Sequence, residues 1–203
     1  YIKEIENSNV YDVAKVTPIS FLNKISSKYK NKIYLKREDL QPIFSFKCRG
    51  AYNKISNLSD DQKSRGIIAA SAGNHAQGVA MSASKLKISA VIVMPTTTPS
   101  IKIESVKKFG VEVLLFGDSF DEAYEHALKI SEEEKRIFIH PFNDPLVIAG
   151  QGTVAKEIVE QAENDPDIFF IPVGGGGLIS GMSLYLKQKY PNSKVFGVES
   201  EDA

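Results

Sequence analysis

A run of four glycines is the first feature of the sequence with chemical potential. Residues 174–177 follow the apolar segment 167–173 and precede the helical pattern of 178–190. Because glycine has no Cβ, such a run can turn tightly and present successive backbone N–H groups to a ligand. The positive end of the next helix dipole lies at the same point, which favours a phosphate. A flexible linker is the alternative interpretation.

The surrounding residues limit which phosphate ligand fits. The dinucleotide-binding pattern G-x-G-x-x-G is absent, because Ile179 and Ser180 occupy the positions that its third glycine would need. The Gly-Lys-Ser/Thr pattern of nucleoside triphosphate sites is also absent, because Leu178 follows the last glycine. Glu199 ends the next predicted strand, 22 residues after Gly177, near the position of a ribose-binding acid. A nicotinamide-dependent oxidoreductase therefore stays open as an alternative.

A second candidate ligand loop spans residues 71–75, between the apolar segment 66–70 and a predicted helix. Its small residues let a ligand approach the backbone, and a helix N-terminus favours an anion such as a carboxylate. Asn74 can both donate and accept hydrogen bonds. A capped strand-to-helix turn explains the same pattern, and a single histidine such as His75 is more often structural than catalytic.

Lys47 is the candidate nucleophile. Its neighbours Phe46, Cys48 and Ala51 are apolar or small, so we expect this turn to be partly buried. Desolvation lowers the pKa of a lysine and makes its amine available as a nucleophile and a base. The alternative is an ordinary solvated lysine.

Short apolar runs alternate with amphipathic stretches along the chain. The strands and helices that they predict position the candidate residues. The predicted strands are 32–36, 66–70, 89–94, 111–116, 137–140, 167–173 and 194–199. The predicted helices are 76–86, 100–109, 119–135, 147–162 and 178–190. Strands apolar on both faces, with no hairpin signal between them, indicate an α/β fold with parallel sheet covered by helices on both sides. Residues 53–140 hold one compact strand–helix run, and the flanking parts could pair into a second sheet.

Composition excludes several classes of protein. The 203 residues carry 25 Lys and Arg against 25 Asp and Glu, so nothing favours a nucleic acid or an anionic membrane as partner. No apolar run approaches the ~20 residues of a membrane span. The single cysteine excludes an intrachain disulfide and a Cys-rich zinc site, and we predict no metal and a cytoplasmic location. The chain starts without Met and stops after a predicted strand, so we expect an incomplete, poorly active catalytic unit.

Taken together, the motifs resemble the fold-type II pyridoxal-phosphate enzymes, and within them the biosynthetic threonine dehydratase (threonine ammonia-lyase) group. The resemblance rests on Leu35-Lys36-Arg37-Glu38-Asp39 with Gln41-Pro42, Ser45-Phe46-Lys47-Cys48-Arg49-Gly50-Ala51, Ser71-Ala72-Gly73-Asn74-His75-Ala76-Gln77-Gly78-Val79-Ala80, Val147-Ile148-Ala149-Gly150-Gln151-Gly152-Thr153 and Pro172-Val173-Gly174-Gly175-Gly176-Gly177-Leu178. These segments occur in the family's order and spacing. Serine racemase and catabolic dehydratases of the same fold share many of them and are the alternatives.

The resemblance implies a role for each motif. Lys47 is implied to form the Schiff base with pyridoxal 5'-phosphate, Asn74 to bind the 3'-oxygen, and Phe46 to pack near the ring. Backbone N–H groups of the glycine turn are implied to hold the phosphate, at Gly174, Gly175, Gly176, Gly177 and Leu178. The second loop is implied to bind the substrate carboxylate, through Ser71, Ala72, Gly73, Asn74 and His75.

The resemblance also implies an architecture and a reaction. It divides the chain into a large cofactor domain (1–52 and 141–203, incomplete) and a small domain (53–140), each a three-layer parallel-sheet unit. The implied reaction converts L-threonine to 2-oxobutanoate and ammonia, or L-serine to pyruvate and ammonia, in isoleucine biosynthesis. A homo-oligomer, dimer or tetramer, is implied for the full-length protein. A non-catalytic fragment stays open as an alternative.

Overall fold

Parallel strands and helices dominate the structure, a computed structural model that describes residues 1–201. The strands are β1 (Ile19–Phe21), β2 (Tyr34–Lys36), β3 (Ile67–Ala70), β4 (Ala90–Met94), β5 (Glu112–Leu115), β6 (Ile137–Phe138), β7 (Ile168–Pro172) and β8 (Lys194–Val198). The helices are α1 (Ile2–Glu6), α2 (Asn23–Tyr29), α3 (Lys47–Ser56), α4 (Asp60–Arg65), α5 (Asn74–Leu86), α6 (Ser100–Lys107), α7 (Phe120–Glu133), α8 (Pro145–Gln161) and α9 (Gly177–Lys189). No helix within residues 1–201 combines the length and apolar character that a membrane span requires.

The central sheet has the order β5-β4-β3-β6, and all its neighbouring strands are parallel. Strands β3 and β4 are buried along their whole length, as their double-sided apolar sequence predicts. Helix α5 packs on one face, where Val79 meets Ile67 and Ile92 in one core cluster. Helix α7 covers the other face through Ala123 and Ala127. Each fully buried Ile or Val contributes roughly 1.5–3 kcal/mol, so this three-layer core is the stable base beneath the strand ends.

A second parallel pair, β7 and β8, packs against α8 and α9. Alternate residues of β7 face this core: Phe169 and Ile171 are buried, whereas Phe170 is 70% exposed. The second face of this strand is therefore exposed in the described residues. Apolarity on both faces signalled covering elements, but in residues 1–201 helices pack on one face only.

Strands β1 and β2 form an antiparallel pair, with Ile19 opposite Lys36 and Phe21 opposite Tyr34. This pair corrects the expectation of parallel strands throughout, and β1 was not predicted at all. The two strands are joined through α2 and not by a tight turn, so the sequence carries no hairpin signal. They pair with each other and not with β7 or β8, so the flanking parts of the chain do not share one sheet in residues 1–201. The division into domains 1–52 with 141–203 and 53–140 stays a prediction.

Helix starts explain the small differences from the predicted bounds. Helix α8 begins at Pro145, where the Asp144 side chain accepts N–H bonds from Leu146 and Val147. Helix α5 already begins at Asn74, and α9 begins at Gly177. Helix α3 begins at Lys47 itself. The candidate residues thus lie in the first turns of three helices, where backbone N–H groups have no carbonyl partner within the helix.

Candidate active site

Lys47 has the setting of a reactive amine. Its Nζ is partly buried and donates a hydrogen bond to the carbonyl oxygen of Pro141 at 2.7 Å. Nζ also lies 5.8 Å from the ring centroid of Phe46. Burial lowers the pKa of Lys47 to about 8. At pH 7 about a tenth of this amine is therefore unprotonated, far more than for a solvated lysine, and the unprotonated form is the one that a nucleophile or a base requires.

Close backbone packing fixes the first turn of α3. A Cβ at Gly78 would lie 2.8 Å from the carbonyl oxygen of Lys47, so α5 can approach Lys47 only because residue 78 is glycine. A Cβ at Gly150 would lie 2.7 Å from the Cα of Gly50, which brings α8 equally close on another side. Gly78 and Gly150 therefore serve helix packing around the first turns of α3.

A buried ion cluster anchors the same turn. Arg49 is fully buried; its Nη1 lies 2.6 Å from Oε1 of Glu157, and its Nε lies 2.8 Å from Oε2 of Glu38. Lys36 completes the cluster, with Nζ 2.6 Å from Oε2 of Glu157. Burial alone would raise the pKa of Glu157, but hydrogen bonds from Arg49 and Lys36 hold it below its ordinary value. Two cations and two carboxylates thus tie together the motifs 35–42 and 45–51 and helix α8.

The loop 71–75 lies where β3 ends and α5 begins. Ser71, Ala72 and Gly73 are partly exposed, and the backbone N–H of Gly73 donates to Oγ of Ser71 at 3.2 Å. Asn74 is exposed at the first position of α5, where a ligand can reach its amide. The loop therefore offers small residues and free helix N–H groups to an anion.

His75 differs from the rest of this loop because its side chain is buried. Its Nε2 donates to the carbonyl oxygen of Ile139 at 2.9 Å, and its buried Nδ1 has no partner in the structure of residues 1–201. Burial, together with the charge of Lys47, lowers the pKa of His75 to about 3. A neutral, buried imidazole cannot contact a substrate carboxylate in solvent, so a contribution to substrate binding is restricted to the backbone of His75. The side chain instead fastens α5 to the end of β6.

The glycine turn joins β7 to α9. Gly176 has a φ of 84°, a left-handed conformation that favours glycine, and forms the N-cap of α9. Cβ atoms built on Gly174 and Gly176 would meet no heavy atom within 4 Å, so one side of the turn is open. Leu178 is buried in the core beneath α9 and anchors the turn.

A segment that the sequence analysis missed connects these parts, namely residues 139–142, which follow β6. The carbonyl of Ile139 accepts from His75, and the carbonyl of Pro141 accepts from Lys47. The Phe142 ring lies against Gly175, where a Cβ would be 2.0 Å from a ring carbon. The signal was available, since Pro141 and Phe142 follow the predicted strand 137–140 as residues 71–75 and 174–177 follow theirs.

His140 lies in the same segment. Its Nδ1 accepts the backbone N–H groups of Phe142 at 3.3 Å and Asn143 at 2.8 Å, which leaves the proton of the neutral ring on Nε2. Burial lowers the pKa of His140; Asp144 partly opposes this shift, and the charge of Lys47 adds to it. Lys47, His75 and His140 therefore lie within electrostatic range of one another at one end of the central sheet.

These residues fit a ligand that combines an aldehyde with a phosphate. The open side of the glycine turn and the N-terminus of α9 suit a phosphate, and the amine of Lys47 suits an aldehyde carbon. Within residues 1–201 no cluster of three or more His, Cys, Asp and Glu side chains could hold a metal ion.

Comparison with protein families agrees with this chemistry. The family model described as pyridoxal-phosphate dependent enzyme matches residues 10–203 of this chain. The chain belongs to the pyridoxal-phosphate dependent enzyme family. The predicted family and cofactor are thereby confirmed, and the nicotinamide-dependent alternative is removed.

Curated relatives in this family carry threonine dehydratase names. The chain is 53% identical over 203 residues to the biosynthetic L-threonine dehydratase of Pasteurella multocida, covering all of this chain and 39% of that protein. It is 54% identical over 203 residues to the chloroplastic biosynthetic threonine dehydratase of Arabidopsis thaliana, covering all of this chain and 34% of that protein. The chain thus spans less than half the length of these relatives.

Solved structures of this family share the fold. The processed form of threonine deaminase isoform 2 from Solanum lycopersicum superposes with a TM-score of 0.96 and 52% identity, covering 99% of this chain and 58% of that one. Maize serine racemase superposes with a TM-score of 0.94 and 34% identity, covering 98% of this chain and 61% of that one. The predicted α/β fold with parallel sheet is confirmed.

Proposed function

We propose that this chain supplies the lysine, the phosphate turn and the substrate loop of a pyridoxal-phosphate-dependent threonine dehydratase. The reaction converts L-threonine to 2-oxobutanoate and ammonia, and L-serine to pyruvate and ammonia. The observation that carries the proposal is the partly buried Lys47 amine, with a pKa of about 8, held by the same segment that packs on the glycine turn. Identities of 53% and 54% to threonine dehydratases support the substrate.

Binding follows from the open backbone groups. Backbone N–H groups of residues 174–178 hold the phosphate at the N-terminus of α9, where the helix dipole favours an anion. Asn74 donates to the 3'-oxygen from the first turn of α5, and Phe46 packs near the ring. The backbone of residues 71–75 binds the substrate carboxylate. When bound, the cofactor supplies a conjugated acceptor that stabilises negative charge at the substrate Cα.

Lys47 carries the proton transfer. Its unprotonated amine takes the proton from the substrate Cα and holds it at Nζ, and this proton then passes to the β-hydroxyl, which leaves as water. The released enamine regains one water on hydrolysis to the 2-oxo acid and ammonia, so atoms balance over the reaction. Burial serves this step because a fully solvated lysine would be protonated at neutral pH.

Serine racemisation is the second candidate, because the serine racemase fold superposes on nearly the whole chain. The higher identity to threonine dehydratases favours dehydration. A homo-oligomer stays part of the proposal. A cytoplasmic location stays a prediction as well, since the Arabidopsis relative is named chloroplastic.

The test is an assay of the complete gene product with pyridoxal phosphate in excess. Release of 2-oxobutanoate and ammonia from L-threonine, lost in the Lys47→Ala variant, is the expected result. Conversion of L-serine to D-serine without 2-oxo acid would instead establish the racemase. Turnover of L-threonine that Lys47→Ala leaves unchanged would contradict the proposed role of this lysine.

A further inference from the structure

The four glycines of the turn divide into two sets by what their missing side chains would meet. Cβ atoms on Gly174 and Gly176 would point into space with no heavy atom within 4 Å. A Cβ on Gly175 would lie 2.0 Å from a ring carbon of Phe142, and a Cβ on Gly177 would lie 3.0 Å from the carbonyl oxygen of Phe142. Gly175 and Gly177 are thus required by a protein contact, whereas Gly174 and Gly176 face the side left open for a ligand.

Phe142 also stands next to the residue that holds the lysine. The carbonyl of Pro141, its neighbour, accepts the hydrogen bond from Nζ of Lys47. The ring of His140 packs edge-on against the ring of Phe142, with centroids 4.7 Å apart. The backbone N–H groups of Phe142 and Asn143 donate hydrogen bonds to Nδ1 of His140, which constrains the same segment. Residues 140–142 thereby link the glycine turn to Lys47 through a short stretch of backbone that is held by hydrogen bonds and ring packing.

We propose that Phe142 is a positioning residue for the cofactor: its ring forms the back wall of the glycine turn and sets the place of the phosphate relative to Lys47. This inference rests on the proposed function. A turn of four glycines is otherwise a flexible piece of backbone, and ordering it would cost binding free energy. Because Phe142 packs on Gly175 and Gly177, we expect the turn to be ordered before any ligand arrives.

The main test combines variants on both sides of this contact. Phe142→Ala is expected to raise the dissociation constant for pyridoxal phosphate about tenfold or more, because the turn loses its wall. Gly175→Ala is expected to weaken binding as well, since its methyl group collides with the ring. In the double variant the missing ring makes room for the methyl group, so we expect binding no weaker than in Gly175→Ala alone. Losses that simply multiply in the double variant would contradict the contact.

Matched controls separate positioning from folding. Phe170→Ala removes the same side chain from the exposed face of β7 and is expected to leave the dissociation constant unchanged. Phe142→Leu keeps an apolar contact with the turn and protects the test against a variant that fails to fold. Midpoints of thermal unfolding without cofactor show how much of each effect is stability.

Two further readouts decide the outcome. Gly174→Ala, on the open side, is expected to keep the unfolding midpoint yet weaken binding, because its methyl group lies where the phosphate binds. In Phe142→Ala, the cofactor is held less well beside Lys47, so the borohydride-trapped adduct on Lys47 should need a higher concentration of pyridoxal phosphate. Wild-type protein that forms no adduct on Lys47 would contradict the proposed function. Adduct formation with unchanged affinity in both Phe142 variants would contradict the positioning role alone.

Discussion

Nζ of Lys47 lies 2.7 Å from the carbonyl oxygen of Pro141, a residue 94 positions away in the chain. The bond joins the first turn of α3 to the end of β6, and Phe142 continues from there to the glycine turn. The Lys47 amine, the loop 71–75 and the glycine turn thus meet around residues 139–142. This arrangement leads to predictions about reactivity, ligand binding and stability.

The reactivity of Lys47 should follow its lowered pKa. Burial brings this pKa to about 8, so the unprotonated amine increases as the pH rises through 8. We expect the rate of borohydride-trapped adduct formation with pyridoxal phosphate to rise with a midpoint near pH 8. Mass spectrometry of the Lys47 peptide across pH 6–10 measures it, with Lys54, which is paired to Asp144, as the internal comparison. A rate that keeps rising steeply above pH 9, towards the ordinary lysine pKa of about 10.4, would argue against the burial of this amine.

A negative charge on the phosphate turn should abolish tight cofactor binding. Gly176→Asp puts a carboxylate beside the phosphate, at a position whose φ of 84° favours glycine. The loss in binding free energy should be on the order of 3 kcal/mol or more. Ser180→Asp is the control, because it adds the same charge on the exposed face of α9. Absorbance titration with pyridoxal phosphate compares the cofactor affinities of the two variants. Equal affinities would indicate that the four glycines form a flexible linker and not a phosphate site.

Gly181→Ala should destabilise the fold. Its Cβ would lie 2.3 Å from the carbonyl oxygen of Ile148 and 2.8 Å from the backbone nitrogen of Gly152, where α9 crosses α8. Overpacking of this kind costs about 1–3 kcal/mol. Urea unfolding without cofactor tests it against Gly174→Ala, which has open space; equal stability of the two variants would contradict the packing.

The ion cluster around Arg49 should contribute to the free energy of unfolding, and this contribution should be lost at acidic pH. Glu157→Gln leaves the buried guanidinium without one of its charged partners and should cost roughly 3–5 kcal/mol. The folded-state pKa of Glu157 is lowered, so its contribution is present above the unfolded-state pKa and is lost as the pH falls through the folded-state value. Denaturant titrations at several pH values test both effects, with Glu133→Gln, in an exposed pair with Lys129, as the control. A wild type and variant equally stable at neutral pH would be inconsistent with this view.

The sequence predicts the sheet and the positions of the ligand loops because both depend on local patterns. Apolar residues on both faces mark β3 and β4, and the small residues that follow β3 and β7 mark the strand ends where we propose that ligands bind. Tertiary contacts could not be predicted in this way. The bond from Lys47 to Pro141 and the pair of Arg49 with Glu157 join residues 94 and 108 positions apart. The burial of His75 likewise depends on the carbonyl of Ile139, 64 positions along the chain.

The most direct test of the central claim is to locate the lysine that carries pyridoxal phosphate. The protein is incubated with the cofactor, reduced with borohydride, digested and mapped by mass spectrometry. We predict a phosphopyridoxyl group on Lys47 in the wild type, and in Lys47→Ala no adduct but retained binding of phosphate-bearing ligands, because the glycine turn does not depend on this side chain. An adduct on Lys36 or Lys54 with none on Lys47 would contradict the account.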